Sequence, residues 1–286
     1  MKLAELISDR SISVWYSTPS ILSLLANYGK LGRYDYSALR MVFFAGEVFP
    51  LPQYRALTKF WSAPRYFNLY GPTETNVCTW YRVPASMDDW PDDSPIPIGA
   101  VCDHLRGFVV DDAGREVARG EEGTLWIAGP NLMQGYYGDP ARTCAVLTRH
   151  PAGGGEIAYC TGDRVRERAD GGYDFIGRKD HQIKRRGYRI ELGELEAVFA
   201  AHPGVVEAIA WALPDEGAGN RIYVTVVPGR GETLDVAALQ AFCRERLPIY
   251  MVPDGVEVLG EVPRTSTGKA DRGALVARWR EEEGTR

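Results

Sequence analysis

The chain has 286 residues, 45% of them hydrophobic, and a formal net charge of −5 from 33 Lys and Arg against 38 Asp and Glu. Domains commonly hold about 100 to 150 residues, so two units are expected, and the acidic balance lacks the basic face that DNA or RNA binding calls for. Five cysteines, Cys78, Cys102, Cys144, Cys160 and Cys243, are odd in number and never form a CxxC pair, which excludes a disulfide framework and a zinc site as expectations and points to a reducing compartment. No apolar run approaches the ~18 residues of a membrane span, and "MKLAELISDR" lacks the apolar stretch of a signal peptide. A cytoplasmic protein without membrane or nucleic-acid partners is expected.

In chain order, short apolar runs ("ISVWYS", "MVFFAG", "RYFNLYG") alternate with helical stretches ("PSILSLLANYG", "PLPQYRALTKFW"). This is the rhythm of βα units and predicts an α/β fold, with residues 1 to about 80 in a parallel sheet flanked by helices. From Ile98 to Gly177 short strands separated by turn signals take over, with "DDAG" and "ADGG" as hairpin turns. That stretch is expected to form a small β-barrel-like subdomain. Beyond it, Leu192, Leu195, Phe199 and His202 fall at helical spacing, as do Val236, Leu239, Phe242 and Arg246 with Leu247 beside them. Two amphipathic helices between strands predict a small α+β domain. The expected division is 1–178, with the β-rich part at about 98–177, and 179–286.

Residues suited to chemistry gather at the joints between these segments. "NLYGPTETN" offers an aromatic ring (Tyr70), a tight Gly71-Pro72 turn, a hydroxyl (Thr73) and a carboxylate (Glu74). A ring can stack on a purine, a hydroxyl can bond a phosphate oxygen, and a carboxylate can hold Mg²⁺; equally, a strand, a turn and a solvated helix-start Glu account for the same residues. In "YCTGDR", Asp163 after a Thr-Gly turn suits ribose hydroxyls, although Asp is common at turns. Arg178 in "GRKD" is a planar donor fork for phosphate or ribose oxygens, or else a surface salt bridge. "PRTSTGKADR" invites a phosphate-loop interpretation, which fails because Pro263 and Ala270 stand where glycine and Ser or Thr are required. Lys269 then lies on a polar surface loop.

Together "YGPTE", "GTLWIAGPNLMQGYYGDPART", "YCTGDR", "GRKDHQIKRRGYRIELGELE", "LPIYMVP" and "PRTSTGKADR" resemble, in order and rough spacing, the adenylate-forming superfamily. The resemblance covers nearly the whole chain and is nearest to the amino-acid adenylation domains of nonribosomal peptide synthesis and their stand-alone relatives. It implies an AMP-forming ligase that uses ATP and Mg²⁺ to make an acyl-adenylate, then passes the acyl group to a carrier-protein phosphopantetheine thiol. By the same matching, Lys269 is the catalytic lysine and bridges carboxylate and α-phosphate. Tyr70 stacks on adenine beside Gly71, Thr73 meets phosphate, Glu74 holds Mg²⁺, and Asp163 with Arg178 grips the ribose. Asp180 falls at a hinge about which the small domain swings. Gly187, in "KRRGYR", lets the chain pass close to a pantetheine arm, while Lys184, Arg185 and Arg186 are expected to be mostly a solvated charge run.

Matching strands also imply an acid pocket lined by Tyr16, Phe43, Ala45, Leu69, Val77 and Cys78, all without charge, suited to a small uncharged side chain. Apolar strand positions are more often plain core. "VWYSTPS" and "FFAGEVFP" resemble stand-alone enzymes that load small amino acids, proline or alanine among them. The superfamily's Ser/Thr/Gly-rich phosphate loop has no match in this sequence, so the chain is expected to correspond to the C-terminal half to two-thirds of such an enzyme. An open sheet edge is then expected around "ISVWYSTPSILSLL". The alternative function is a catalytically inactive fragment that binds a carrier protein or a nucleotide.

Overall fold

The computed structural model describes residues 2–84, 86–92, 94–150, 155–178, 182–215, 219–265 and 268–284. The chain divides into two compact units, Met1–Asp180 and His181–Arg286. The expected hinge residue, Asp180, lies outside the described residues.

The first unit opens with α1 (Lys2–Asp9), β1 (Val14–Ser17), α2 (Pro19–Tyr28), β2 (Met41–Ala45), α3 (Leu51–Thr58), β3 (Arg65–Tyr70), β4 (Thr79–Val83) and β5 (Ala100–Val101). β1, β2 and β3 are parallel and joined by helical crossovers, and β4 and β5 extend the sheet antiparallel, in the order β1-β2-β3-β4-β5. The strands alternate in burial: Val42, Phe44, Tyr66 and Asn68 point to one face, where Leu22, Leu25, Leu51, Tyr54 and Leu57 from the helices complete the core. The opposite face carries Phe43, Phe67 and Leu69 half-buried, with Tyr16 58% and Trp80 44% exposed. Among the described residues β1 pairs with β2 alone, at the edge expected around "ISVWYS".

The rest of this unit is β6 (Arg106–Val110), β7 (Glu122–Ala128), α4 (Pro140–Val146), β8 (Leu147–Arg149), β9 (Ile157–Glu167) and β10 (Tyr173–Arg178). The strands form an open antiparallel sheet, β10-β9-β7-β6, with β8 also on β9. Both expected hairpin turns are present: Asp111 to Gly114 closes through Gly114 N–H to Asp111 O at 3.1 Å, and Gly171 (φ 80°) lies between β9 and β10. α4 is a helix within the stretch expected to be mostly β. Its start is set by Asp139, whose carboxylate accepts from Arg142 N–H at 2.8 Å, and by Pro140 at the first helical position.

The second unit holds β11 (Gln182–Arg185), β12 (Tyr188–Glu191), α5 (Leu192–Ala200), β13 (Val205–Asp215), β14 (Gly219–Pro228), α6 (Val236–Arg244), β15 (Gly255–Val258) and α7 (Arg272–Gly284). The sheet β13-β14-β15 is covered on both faces. Ala210, Ile222, Val224 and Val226 pack with Leu195, Phe199 and Leu239 of α5 and α6, while Trp211 and Tyr223 pack with Leu275 and Trp279 of α7. Two expectations are corrected. α6 buries Leu239 and Cys243 rather than Phe242 and Arg246, because the Phe242 ring packs edge-on against His202 while Arg246 lies over its face. α7 was not expected, its apolar contacts being outnumbered by charged residues.

The basic run 184–186 is also corrected at Arg185. β11 and β12 form a hairpin whose two turn residues, Arg186 (φ 51°) and Gly187 (φ 82°), both take positive φ, the signature of a type I′ turn. Strand alternation then points Arg185 inward, where it donates to Tyr250 O (3.2 Å), Val252 O (2.8 Å) and the Asp254 carboxylate (2.7 Å). Asp254 in turn accepts from Ile222 N–H at 2.7 Å. The guanidinium is buried while Asp254 reaches solvent, so its removal chiefly leaves the Tyr250 and Val252 carbonyls without their donor, at about 1 to 3 kcal/mol. Arg185→Ala is therefore expected to lower the unfolding free energy of the second unit by about 1 to 3 kcal/mol, measured by urea denaturation; an unchanged midpoint would show these contacts to be idle.

Candidate active site

The candidate residues of the first unit converge where the C-terminal end of β3 meets β9 and β10. Asp163 does not follow a turn, as expected from "TGD", but lies within β9. Trp126 of β7 is opposite Cys160 and Thr124 is opposite Arg164, so Thr161, Gly162 and Asp163 bulge against Leu125 alone. Gly162 takes φ 72° to allow this. Thr161 locks the bulge, donating to Leu125 O at 2.7 Å and accepting from Asp163 N–H at 3.0 Å. The result aims the Asp163 carboxylate inward, where it is 3% exposed.

Its two oxygens are each engaged. Tyr70 at the end of β3 donates its hydroxyl to Oδ2, and Arg178, directly opposite Asp163 in the β9–β10 register, donates to Oδ1 at 2.7 Å and to Thr161 O at 3.2 Å. Each carboxylate oxygen accepts about two hydrogen bonds, so acceptor positions remain for a ligand hydroxyl. The Tyr70 ring is 6% exposed and packs with Cys78, Ile98, Leu125 and Phe175. It offers little face for the stacking expected of it; what it does offer is a fixed hydroxyl. Burial first, and then the Asp163 charge, raise the Tyr70 phenol well above its ordinary value, so it stays a donor.

The segment after Tyr70 is a tight loop. Cys78 N–H bonds Tyr70 O at 2.8 Å, Asn76 takes φ 54°, and Thr75 is buried with its hydroxyl on Asn76 O at 3.0 Å. A Cβ on Gly71 would lie 1.7 Å from Asn76 O, so no other residue fits there. Thr73 is exposed at the tip. Glu74 is 5% exposed and accepts from the Tyr136 hydroxyl at 2.6 Å, while its backbone oxygen holds Met133 N–H at 2.8 Å. Tyr136 was not singled out from the sequence, although it lies in the quoted "MQGYYGDPART"; Thr143 and Arg142 of α4 hold it from behind. Among the described residues no group of three His, Cys, Asp or Glu is placed to hold a metal. A single carboxylate such as Glu74 could hold Mg²⁺ only in a site completed by waters and substrate phosphates.

The expected acid pocket is only partly assembled. Tyr16, Phe43, Ala45 and Leu69 share the open face of the five-stranded sheet, and Val77 is half-buried. Cys78 is fully buried in the core shared with Tyr70. In the second unit, Lys269 is exposed on a turn in which Thr265 N–H bonds Lys269 O at 2.8 Å and Arg264 pairs with Ala270. Arg264 anchors that turn to β13 by donating twice to the Glu207 carboxylate, at 2.8 and 2.7 Å.

Comparison with known proteins follows this geometry. Residues 1–137 match the family model of AMP-binding enzymes, and residues 194–269 match that of the AMP-binding enzyme C-terminal domain. An L-proline carrier-protein ligase of Pseudomonas fluorescens is 39% identical over 273 residues, 96% of this chain and 52% of the relative. Among solved structures, an amide bond synthetase of Marinactinospora thermotolerans superposes with a TM-score of 0.84 at 27% identity, covering 96% of this chain and 53% of that one. A nonribosomal peptide synthetase protein containing adenylation and PCP domains, bound to a vinylsulfonamide inhibitor, does so with a TM-score of 0.79 at 29% identity, covering 96% and 46%. The chain spans about half the length of the curated relatives it matches. No helix among the described residues is long and apolar enough to cross a membrane.

Burial pushes the Cys78 thiol from its ordinary value of 9.0 up to about 12. The unfolded thiol ionises first, so its contribution to stability is complete below pH 9 and is lost as pH rises toward 12. Stability of the first unit is therefore expected to fall across that window, and Cys78→Ala to flatten part of the fall in urea titrations at pH 8, 9 and 10. An identical slope in both proteins would place Cys78 in contact with solvent.

Proposed function

Since the chain belongs to the AMP-binding, adenylate-forming enzymes, we propose that it acts in the ATP-dependent activation of a small uncharged amino acid and its transfer to a carrier-protein phosphopantetheine thiol. The observation that carries this is the convergence of Tyr70, Asp163 and Arg178 beside the Gly71–Glu74 loop. It combines fixed donors, acceptor positions on a held carboxylate and an exposed hydroxyl within one unit. Asp163 and Arg178 take the ribose hydroxyls, with Tyr70 fixing the carboxylate from behind. Thr73 takes phosphate oxygens. Bound Mg²⁺ would neutralise phosphate charge, with Glu74 as its protein ligand.

In the first half-reaction a carboxylate oxygen of the amino acid attacks the α-phosphorus of ATP and pyrophosphate leaves. In the second, the pantetheine sulfur attacks the acyl carbon, its proton is lost, and AMP leaves. Residues 179–286 are the mobile C-terminal domain, hinged at Asp180. It brings Lys269 in for the first step and the Gly187 turn in for the second. An ammonium on a flexible stem suits the charge that gathers on phosphate oxygens in the transition state. Lys269 is exposed on an anchored turn, as such a mobile donor must be. Proline heads the substrates to test, because a relative acts on it and Tyr16, Phe43, Ala45 and Leu69 on the open sheet face are themselves uncharged.

Pyrophosphate release with MgATP and a panel of amino acids tests this. Release dependent on one small amino acid is expected, falling by ~10² to 10³ in Lys269→Ala. Equal release by the variant would remove Lys269 from the chemistry. No amino-acid-dependent release from a folded chain would favour the alternative, a fragment that binds carrier protein or nucleotide only.

A further inference from the structure

A cavity of about 790 Å³ lies at the end of the five-stranded sheet opposite Tyr70. Its walls come from the C-terminal end of α3, the start of β3, and the end of β4 with the segment after it. That volume is in the range of small-molecule sites. Its shape depends on Arg55 of α3, which clasps the segment after β4. The guanidinium donates to Met87 O at 2.6 Å, to Asp88 O at 3.3 Å, to Trp90 O and to the Asp92 carboxylate. The charge of Arg55 is thereby answered within the fold.

Three further cations line the cavity: Lys59, Arg65 and Arg82. Among the described residues none of them has an ion-pair partner, whereas Arg55, which lines the same cavity, does. Asp88 is the carboxylate in the lining, and one of its oxygens accepts from the Ser86 hydroxyl at 2.7 Å. The register sets Arg82 opposite Phe67, so Arg65 and Arg82 are diagonal neighbours on one face, a spacing of about 7 to 8 Å. Like charges at that spacing repel, and a concave wall in which cations outnumber the one carboxylate focuses the field and gathers anions. In a chain of net charge −5 this grouping is not a by-product of a basic composition.

We propose that this cavity binds a small polyanion, a polyphosphate or a polycarboxylate, through Arg65, Arg82 and Lys59. Two guanidinium forks and an ammonium suit an anion carrying two or more charges. The site is separate from the Tyr70–Asp163–Arg178 cluster and needs neither catalysis nor a carrier protein.

Calorimetric titration of the whole chain with inorganic pyrophosphate and, separately, with citrate tests it. One of the two is expected to bind, more weakly as salt is raised. The Arg65→Ser/Arg82→Ser variant is expected to weaken that binding by about tenfold or more, and Lys59→Ser to weaken it less. Arg115→Ser/Arg119→Ser, which removes the same charge elsewhere, is expected to leave it unchanged. Which ligand binds decides between phosphate and carboxylate recognition. Binding of neither, or equal loss in both double variants, would overturn the proposal. So would pyrophosphate binding that survives Arg65→Ser/Arg82→Ser but disappears in Asp163→Asn, which would place the anion at the nucleotide cluster.

Discussion

Asp163 is a carboxylate almost wholly removed from water, and the first unit is organised around satisfying it. Burying an ion costs several kcal/mol unless partners of good geometry replace its water. Those partners come from different places: Tyr70 from the last residue of β3 in a mixed sheet and Arg178 from the last residue of β10 in an antiparallel one. A single charge thus couples two sheets that sequence order alone would leave independent. The apolar contacts of Tyr70 with Cys78, Ile98 and Leu125 close the same joint. Further polar ties run alongside, through Ile98 N–H to Tyr173 O and Tyr173 N–H to Gly99 O, each 2.9 Å.

The same division of labour recurs wherever the candidate chemistry sits. Backbone and buried polar groups fix a base, and one side chain is left at the tip. Gly71, Thr75 and Asn76 fold the loop that presents Thr73, and Tyr136 with α4 holds Glu74. In the second unit, Glu207 and Arg264 hold the turn that presents Lys269. Arg185 ties the β11–β12 hairpin to the segment at 250–254. Such construction suits groups that must meet a ligand in a defined geometry while staying open to it.

Much of the architecture was legible because apolar periodicity reports a buried face directly. Val42 and Phe44, or Leu192, Leu195 and Phe199, announce a strand and a helix by spacing alone. Turn chemistry was equally direct at Asp111–Gly114 and at Gly171. What escaped depended on contacts distant in sequence. The bulge at Gly162 needs the register with Leu125, and "TGD" by itself resembles a turn. The burial of Arg185 needs Asp254, 69 residues away, so a run of three basic residues looked solvated. α7 is held by Leu275 and Trp279 against Trp211 and Tyr223, a contact its charged composition conceals. The full burial of Cys78 depends likewise on packing with Ile98 and Leu125, distant in sequence. The chemistry-bearing residues were legible through six motifs resembling one superfamily, since their individual spacings admitted ordinary turns and salt bridges.

The central claim is that the carboxylate held by Tyr70 and Arg178 recognises a ribose. It is tested most directly by comparing the affinities of ATP and 2′,3′-dideoxy-ATP for the unaltered chain and for Asp163→Asn. Loss of both hydroxyls is predicted to weaken binding by about tenfold or more in the unaltered chain, with the difference largely gone in the variant. Equal affinity for the two nucleotides in the unaltered chain would contradict the account and leave Asp163 as a structural clamp between the two sheets.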